Sequence, residues 1–257
     1  MDDILQLFDS VPPDIDLAAF DAQRVPDHIA VIMDGNGRWA QKRGKRRASG
    51  HKAGIKGVRE LIQTCNDLGI RHLTIFSFST ENWLRPRQEV ETLMALFANT
   101  MAEELDGLHR EHVRIKTIGD LSILPDKTRK VFERARAHTQ DNAGMTLVIA
   151  VNYGSRLEIV SAAKRIAMTA LEGQLDRSSI ESLTPEAFSR YLETDGLPDP
   201  DLLIRTSGEY RLSNFLLFQI AYSELYITPV LWPDFDKYEL LRAILVYQSR
   251  QRRFGGV

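Results

Sequence analysis

An apolar run that ends in an acidic residue, two glycines and an arginine is the first place where this sequence predicts chemistry. The segment from His28 to Ala40 reads H-I-A-V-I-M-D-G-N-G-R-W-A, so the apolar stretch leads directly into Asp34. Gly35 and Gly37 permit positive backbone torsion angles, which lets successive amide N–H groups face one concavity that holds an anion. Arg38 can add charge-assisted hydrogen bonds. The segment therefore predicts a phosphate-binding site.

The carboxylate of Asp34 would repel a bare phosphate, and a bound cation removes that repulsion. Mg²⁺ takes oxygen ligands from one or two carboxylates and completes its shell with water and substrate phosphates. Asp34 is therefore a candidate magnesium ligand. A strand-ending turn capped by Asp34 and Asn36 accounts equally well for these residues taken alone. The Gly-rich motifs of nucleotide-hydrolysing and dinucleotide-binding enzymes are incomplete here, which disfavours both classes.

A cluster of positive charge follows the glycines and precedes a predicted helix. Its members are Lys42, Arg43, Lys45, Arg46 and Arg47, and Ser49, Gly50 and His51 follow them. A basic run is typical of a solvated surface, whereas a helix N-terminus beside it favours a bound anion. Both interpretations remain open.

Short apolar runs alternate with longer amphipathic runs along the chain. The predicted strands are His28 to Met33, His72 to Phe78, Arg114 to Ile118, Thr146 to Val151, Asp201 to Arg205 and Leu225 to Ile227. The predicted helices are Ala53 to Leu68, a long segment from Pro86, Pro125 to Gln140, Ser155 to Gly173, Thr184 to Glu193 and Asp236 to Arg252. This alternation predicts a single α/β domain, with a mainly parallel sheet flanked by helices.

The long segment from Pro86 carries an apolar stripe with steps of three or four residues. The stripe consists of Val90, Met94, Phe97, Met101, Leu105 and Leu108. Such a stripe is typical of a helix face that packs into a core. It is also compatible with the wall of a hydrophobic channel, and the sequence does not separate the two.

Composition narrows the class of protein. The chain has 257 residues, 43% hydrophobic residues, 26% charged residues and a formal net charge of −2, which is typical of a globular protein and disfavours a general nucleic-acid binder. The single cysteine, Cys65, excludes an intramolecular disulfide and fits a reducing cytoplasm. The first two dozen residues lack the pattern of a signal peptide or anchor, so we expect any membrane contact to be peripheral.

Several blocks in one order resemble the cis-prenyltransferases, the family of undecaprenyl diphosphate synthase. They are H-I-A-V-I-M-D-G-N-G-R-W-A, G-H-K-A-G from Gly50, F-S-x-E-N-W with R-P from Phe78, D-L-L-I-R-T from Asp201, R-L-S-N-F-L-L from Arg211, A-Y-S-E-L-Y from Ala221 and L-W-P-D-F from Leu231. The resemblance runs from about His28 to Gly256. We therefore expect residues 1–24 to be an N-terminal extension and residues 25–257 to be the catalytic domain.

The resemblance implies a fold, a reaction and partners. The fold would contain an elongated hydrophobic channel between the sheet and its helices. The enzyme would use Mg²⁺ to condense isopentenyl diphosphate with an allylic prenyl diphosphate, farnesyl diphosphate, into a cis-polyprenyl diphosphate that serves as precursor of a cell-wall lipid carrier. It would be a cytoplasmic homodimer that binds no nucleic acid and touches the membrane transiently to release its product.

The resemblance also assigns site residues. Asp34 and Glu224 would be associated with magnesium. The allylic diphosphate would be held by Gly35, Asn36, Gly37, Arg38, Trp39, Arg47 and His51, and the diphosphate of isopentenyl diphosphate by Arg205, Arg211, Leu212 and Ser213. A loop between the two sites would carry Ser79, Thr80, Glu81, Asn82, Trp83 and Arg85. Arg253 and Gly255 would reach the active site of the partner subunit.

The family places Asn82 near the departing proton. A carboxamide is a very poor base, so we expect Asn82 to position substrate and a diphosphate oxygen to accept the proton. Two residues depart from the commonest pattern: Ser207 stands where glycine is usual, and Phe218 where tryptophan is frequent. Both bear on local shape and leave the reaction class intact.

Single residues of the motifs could have purely structural roles, and other functions remain open. Trp83 and Trp232 could be core aromatics, and Glu224 a surface carboxylate. Rival functions are a short-chain or irregular prenyl diphosphate synthase of the same family, and a non-catalytic dimer subunit. A trans-prenyltransferase is disfavoured because the sequence contains no D-D-x-x-D motif.

Overall fold

Parallel strands form the centre of the molecule, as the apolar runs predict. The computed structural model describes residues 7–8 and 10–250. The strands are β1 (His28–Ile32), β2 (His72–Ser79), β3 (Arg114–Ile118), β4 (Thr146–Tyr153), β5 (Leu202–Arg205) and β6 (Glu224–Ile227). They pair in the order β3-β4-β2-β1-β5-β6, and each of these pairs is parallel. The predicted α/β fold with a parallel sheet is confirmed.

Helices connect the strands. They are α1 (Asn36–Lys42), α2 (Arg47–Asp67), α3 (Arg87–Arg110), α4 (Asp126–Thr139), α5 (Ser155–Leu171), α6 (Arg177–Glu181), α7 (Pro185–Ser189) and α8 (Lys237–Ser249). Helices α1 and α6 were not predicted, and two predicted helices have clearly different bounds. Helix α2 begins six residues before the predicted Ala53, so Arg47 and His51 lie on the helix itself. The helix predicted over Thr184 to Glu193 shortens to the five residues of α7.

The sheet is covered on both faces, which explains why the strands β1, β4 and β5 are buried throughout. Alternate residues of β1 enter different clusters: Ile29 and Val31 belong to the larger one, and Ala30 and Ile32 to the smaller one. The larger cluster includes residues of α2, α3, α4 and α8. The channel discussed below lies on this face.

The N-terminal segment packs on α8. Phe8 and Ile15 are buried in the larger cluster. Asp14 pairs with Arg242, whose Nε lies 2.9 Å from the Asp14 Oδ2 atom. The Gln248 side chain accepts a hydrogen bond from the backbone N–H of Asp21 at 3.1 Å. The part of the extension that the structure describes is therefore joined to the rest of the fold. Among the described residues, no helix is both long and apolar enough to cross a bilayer.

Strand order identifies the edge at which ligands collect. The chain passes from β1 to β2 on one side, and β5 lies on the other side of β1. In open parallel sheets the crevice outside the carboxyl ends of strands at such a reversal binds ligands. Asp34 follows β1 and Arg205 ends β5, so both lie at this crevice.

His28 begins β1 and makes two hydrogen bonds inside the core. Its Nδ1 atom lies 2.7 Å from the carbonyl oxygen of Pro198, and its Nε2 atom lies 2.7 Å from Thr74 Oγ1. A carbonyl oxygen only accepts a hydrogen bond, so Nδ1 carries the proton and Nε2 accepts from the threonine hydroxyl. Burial lowers the pKa of His28 to about 4, which keeps the ring neutral.

This buried ring makes stability depend on pH. The unfolded chain, with an ordinary histidine pKa of 6.5, binds this proton more tightly than the folded chain. The free energy of unfolding should therefore fall as pH drops from about 6.5 to about 4, by up to about 3 kcal/mol from this residue. Urea unfolding of the wild type and of His28→Gln across this range measures the effect. The variant should show the shallower pH dependence, and equal slopes would contradict the assignment.

Candidate active site

An acidic side chain surrounded by arginines lies at the carboxyl edge of the sheet. Arg205 Nη2 donates a hydrogen bond to Asp34 Oδ2 at 2.9 Å. Arg211 Nη2 lies 3.7 Å from the same oxygen, and Arg38 Nη2 lies 3.2 Å from Asp34 Oδ1. The register explains the meeting, because Ile32 of β1 is paired with Arg205 of β5. Residues that follow these two strands must therefore be neighbours.

The arginines keep Asp34 ionised. Burial opposes its ionisation, but the hydrogen bond from Arg205 and the charges of Arg38 and Arg205 outweigh that effect and hold the pKa of Asp34 below its usual value. The Arg205 side chain is only 5% exposed, so its charge is poorly screened. A buried guanidinium of this kind attracts an anionic ligand.

Arg38 is held by further partners. Its Nη1 atom donates to Glu209 Oε1 at 2.6 Å, and its Nη2 atom donates to Ser207 Oγ at 2.5 Å. Glu209 also accepts a hydrogen bond from Arg211, which lowers the pKa of Glu209. Three guanidinium groups thus face two carboxylates, which leaves excess positive charge. Sequence reasoning missed Glu209, although a carboxylate between two predicted arginines was a usable signal.

The carboxylate of Glu89 is surrounded by a second group of side chains, two arginines and a histidine. Arg85 Nη1 lies 3.3 Å from Glu89 Oε1, and Arg47 Nε lies 3.5 Å from Glu89 Oε2. His51 Nε2 lies 3.8 Å from Oε1 of the same carboxylate. Burial, followed by the charge of Arg85, lowers the pKa of His51 to about 4, so the ring is neutral at neutral pH and this contact is not ionic. Glu89 was also missed, because it lies beyond the last motif residue, Pro86.

Close packing of α1 on α2 brings the two groups together. A Cβ atom at Gly50 would lie 1.9 Å from the backbone oxygen of Asn36, and one at Gly37 would lie 2.9 Å from Arg47 Cζ. The torsion expected at both glycines is found only at Gly35, whose φ is 105°, because Gly37 is part of helix α1. The first turn of α1 leaves backbone N–H groups without helical partners.

A cavity of about 510 Å³ begins at this polar edge. Its polar lining includes Asp34, Asn36, His51, Ser79, Asn82, Arg85, Arg205, Arg211 and Ser213. Within the described chain, Asn36 Oδ1 and His51 Nε2 are buried there without a hydrogen-bond partner. Orphaned buried polar atoms are uncommon in native proteins and are often explained by a ligand or solvent.

The rest of the cavity is apolar and runs between α2, α3 and the sheet. Its apolar lining includes Ile55, Val58, Ile62, Ile75, Phe78, Leu93, Leu96, Phe97, Met101, Leu108, Phe132, Leu147 and Ile149. The predicted stripe divides: Phe97, Met101 and Leu108 line the cavity, while Val90, Met94 and Leu105 pack in the core. At the far end, Arg59 Nε of α2 donates to Glu104 Oε1 of α3 at 2.7 Å. The predicted elongated hydrophobic channel is therefore present.

Known proteins resemble this chain in sequence. A family model described as "Putative undecaprenyl diphosphate synthase" matches residues 32–255. The chain belongs to this prenyltransferase family. An isoprenyl transferase of Heliobacterium mobile is 50% identical over 237 residues, which cover 92% of this chain and 90% of that protein. An isoprenyl transferase of Agrobacterium fabrum is 51% identical over 233 residues, which cover 91% and 93% respectively.

Solved structures of prenyl diphosphate synthases are also similar to this chain. Lavandulyl diphosphate synthase from Lavandula x intermedia, in complex with dimethylallyl diphosphate, matches with a TM-score of 0.87 and 36% identity over 91% of this chain and 99% of that one. A probable undecaprenyl diphosphate synthase from Campylobacter jejuni matches with a TM-score of 0.73 and 34% identity over 90% and 98%. This prenyltransferase is thus an enzyme of the expected family and fold.

The predicted aromatic ligands of the prenyltransferase lie away from the cavity lining. Trp39 Nε1 donates to Asp234 Oδ1 at 2.6 Å, and Arg43 stacks on the indole ring. Trp83 packs edge-on against Phe78 and donates to Asn152 Oδ1 at 2.8 Å. Neither indole N–H is available to a diphosphate in this structure.

The segment that follows β2 forms a short 3₁₀ helix, Thr80–Leu84. Asn82 Oδ1 accepts a hydrogen bond from the backbone N–H of Ser79 at 3.1 Å, as in a capping box. Glu81 accepts from Asn214 Nδ2 at 2.9 Å. Asn82 thus has its amide N–H₂ group available for contact with a ligand.

Glu224, predicted as the second magnesium-associated carboxylate, lies away from Asp34 within one subunit. Glu224 is the first residue of β6, at the amino ends of the strands, whereas Asp34 follows the carboxyl end of β1. Its carboxylate Oε2 instead accepts from Arg250 Nη1 at 2.7 Å. Among the described residues, no three potential ligands from histidine, cysteine, aspartate and glutamate cluster as a metal site. Arg253 and Gly255 lie outside the described residues.

Gly50 provides a test of the packing between α1 and α2. In Gly50→Ala, the added methyl group would collide with the backbone of Asn36, so α1 must shift and stability should fall by about 1–3 kcal/mol. Gly107→Ala is the matched control in α3, where a Cβ meets nothing within 4 Å and helix propensity should add up to about 1 kcal/mol. Thermal unfolding of both variants measures the difference. A Gly50→Ala protein as stable as the wild type would contradict the close approach.

Proposed function

We propose that this prenyltransferase condenses isopentenyl diphosphate with an allylic prenyl diphosphate, farnesyl diphosphate, into a long cis-polyprenyl diphosphate that serves as precursor of a cell-wall lipid carrier. One observation carries the proposal: the carboxylate of Asp34, ringed by Arg38, Arg205 and Arg211, stands at the polar end of an apolar cavity. An anionic head group with a long hydrocarbon tail matches that division of polarity. Residues 25–257 would form the catalytic domain.

Two diphosphates can be placed on the two groups of positive side chains. The allylic diphosphate would bind the first turn of α1, Arg38, Arg47 and neutral His51, and would displace Glu89 from Arg47. The diphosphate of isopentenyl diphosphate would bind Arg205, Arg211 and Ser213, whose Oγ already accepts from Arg205 Nη1 at 2.8 Å. Planar guanidinium groups suit this task because each reaches several phosphate oxygens.

The residues fit a magnesium ion that arrives with substrate. A single carboxylate is sufficient, because Mg²⁺ is commonly held by one or two carboxylates together with substrate phosphates and water. Asp34 is ionised and its side chain is 26% exposed, so it can turn from Arg205 towards a cation. A bound magnesium ion would supply charge stabilisation to the departing diphosphate.

The reaction joins two carbon skeletons. The double bond of isopentenyl diphosphate attacks the allylic carbon C1, whose bond to the diphosphate oxygen breaks, and a proton leaves C2 of the isopentenyl unit to form the new double bond. Arg38 stabilises the charge that grows on the leaving diphosphate. Asn82 Oδ1 accepts from the Ser79 N–H group, and a neutral carboxamide is a very poor base. Asn82 therefore positions substrate through its N–H₂ group, and a diphosphate oxygen accepts the proton.

The channel accounts for chain growth. Each methylene buried from water contributes about 0.8 kcal/mol, so each five-carbon unit adds up to about 4 kcal/mol in an apolar environment. The growing chain is therefore stabilised between α2 and α3 while the diphosphate stays at Asp34. A tightly held product favours slow release, and transient membrane contact by an otherwise cytoplasmic enzyme would accelerate it.

A second candidate function is a short-chain or irregular synthase. The similarity to lavandulyl diphosphate synthase favours it, because that protein matches with a TM-score of 0.87. The length of the cavity, from Asp34 to Gly107 and Glu111 near the end of α3, favours a long product. A non-catalytic role is disfavoured because the predicted charged diphosphate ligands of the described chain are present.

Helix α5 supports the proposed homodimer. It exposes an apolar stripe in which Leu157 is 53% exposed, Val160 48%, Met168 54% and Leu171 81%. The opposite face of the helix is buried through Ala162. A stripe of exposed apolar side chains on one helix face, here interrupted by Lys164, is characteristic of a surface that a partner covers.

Asp34→Asn tests the catalytic proposal. The purified wild type should extend farnesyl diphosphate with labelled isopentenyl diphosphate in Mg²⁺, and the variant should lose at least about 10²-fold in kcat because the amide cannot replace the anionic ligand. Asp126→Asn is the control, since Asp126 pairs with Arg129 on an exposed part of α4. Circular dichroism checks that both variants fold. Full activity of Asp34→Asn would refute the proposed role.

Thr100→Trp tests the proposed path of the product. Thr100 lines the cavity on α3, eleven residues beyond Glu89 and therefore about 16 Å along the helix. The bulky ring should block the channel and shorten the longest product seen by chromatography. Ala95→Trp is the control, because Ala95 is exposed on the same helix and does not line the cavity. Unchanged product length in Thr100→Trp would place the growing chain elsewhere.

A further inference from the structure

Ser207 has an unusual backbone conformation next to the active site. Its φ is 74°, in the left-handed region, and the residue is buried with 9% exposure. A side chain in this conformation costs about 1–2 kcal/mol, which glycine would avoid. Its backbone N–H donates to the Val230 oxygen at 2.7 Å, so the backbone is held in place. Serine therefore occupies a position whose backbone favours glycine.

The hydroxyl group of Ser207 makes one contact that glycine could not make. Its Oγ atom accepts a hydrogen bond from Arg38 Nη2 at 2.5 Å, and the Ser207 carbonyl oxygen accepts from Arg38 Nη1 at 3.4 Å. The Arg38 side chain is 40% exposed, so its guanidinium would otherwise sample several rotamers. The left-handed residue thus places a neutral acceptor against the diphosphate-facing arginine.

The neutral charge of this acceptor matters. Asp34 and Glu209 also contact Arg38, but each carboxylate offsets the positive charge that an incoming diphosphate needs. Under the proposed function, Asp34 turns towards a cation when substrate binds, and its ion pair with Arg38 is lost. The hydroxyl of Ser207 holds the guanidinium throughout without reducing its charge.

We infer that Ser207 is a positioning residue that fixes Arg38 for the allylic diphosphate. The inference rests on the proposed function and deepens it. The strained backbone conformation places the Ser207 hydroxyl against Arg38. This contact preorganises the diphosphate site, which offsets the cost of the strain. Ser207→Gly should therefore relieve strain while it weakens binding.

Two variants separate the hydroxyl from the backbone. Ser207→Ala keeps the strained conformation and loses the hydroxyl, whereas Ser207→Gly loses both. Calorimetry with farnesyl thiodiphosphate, an unreactive analogue, in Mg²⁺ should show that each variant raises Kd about tenfold. The KM for isopentenyl diphosphate should stay at its wild-type value. Ser207→Gly should melt about 2–4 °C above Ser207→Ala, because glycine fits the left-handed backbone.

A double-mutant cycle tests whether Ser207 acts through Arg38. Adding Ser207→Ala to Arg38→Ala should cause no further loss of affinity, because the hydroxyl then has no guanidinium to hold. Full additivity, or wild-type affinity in both single variants, would overturn the inference alone. A wild-type protein that does not bind the analogue would overturn the proposed function and this inference with it. If Ser207→Ala fails to fold, the affinity of Ser207→Gly tests the inference: a raised Kd supports it and a wild-type Kd overturns it.

Discussion

The contact between Asp34 and its arginines is the constraint that orders the active-site edge of the sheet. A carboxylate that follows β1 and a guanidinium that ends β5 meet because those strands are parallel neighbours in fixed register. Arg205 is almost fully buried, and a buried charge without a partner is very costly. Asp34 therefore compensates the charge of Arg205, and under the proposed function a diphosphate with its cation would take over the same positive groups.

Rigid packing holds these charges in place. Helix α1 lies so close to α2 that glycine is required at Gly50, and the same approach sets Arg47 and His51 beside Glu89. The close contact between Gly50 and Asn36 thus joins the two helices that carry Arg38 and Arg47. Both groups of positive side chains open onto one apolar cavity, so under the proposed function recognition of a diphosphate would be coupled to accommodation of its hydrocarbon tail.

Sequence reasoning predicted the elements well where burial dictates the pattern. The starts of β1, β2, β3 and β4 match the prediction, and the signal is strongest in β1 and β4, which are buried throughout and read as continuous apolar runs. The start of α2 was missed, since its first turn is rich in Arg47, Ser49 and Gly50 and resembles a loop. Asp34, which follows β1, and Arg205, which ends β5, lie at one edge of the sheet because the two strands are parallel neighbours. Motif order could not show that Glu224 begins its strand at the opposite edge of the sheet.

Side-chain partners outside the motifs also could not be predicted. Glu89 and Glu209 are ordinary carboxylates in sequence, and only the fold shows that they neutralise arginines of the site. The stripe of α3 divided between core and channel because neighbouring positions on one helix face different surroundings. Such a division depends on the rotation of the helix, which apolar spacing alone does not specify.

The most direct measurement is a crystal structure of the protein with farnesyl thiodiphosphate and Mn²⁺, with the metal located by anomalous scattering. We predict a diphosphate at the first turn of α1, in contact with Arg38, and a metal within about 2.2 Å of an Asp34 oxygen. The farnesyl chain should extend between α2 and α3. A head group bound elsewhere, with Asp34 still paired to Arg205 and no metal beside it, would contradict the proposed role of Asp34.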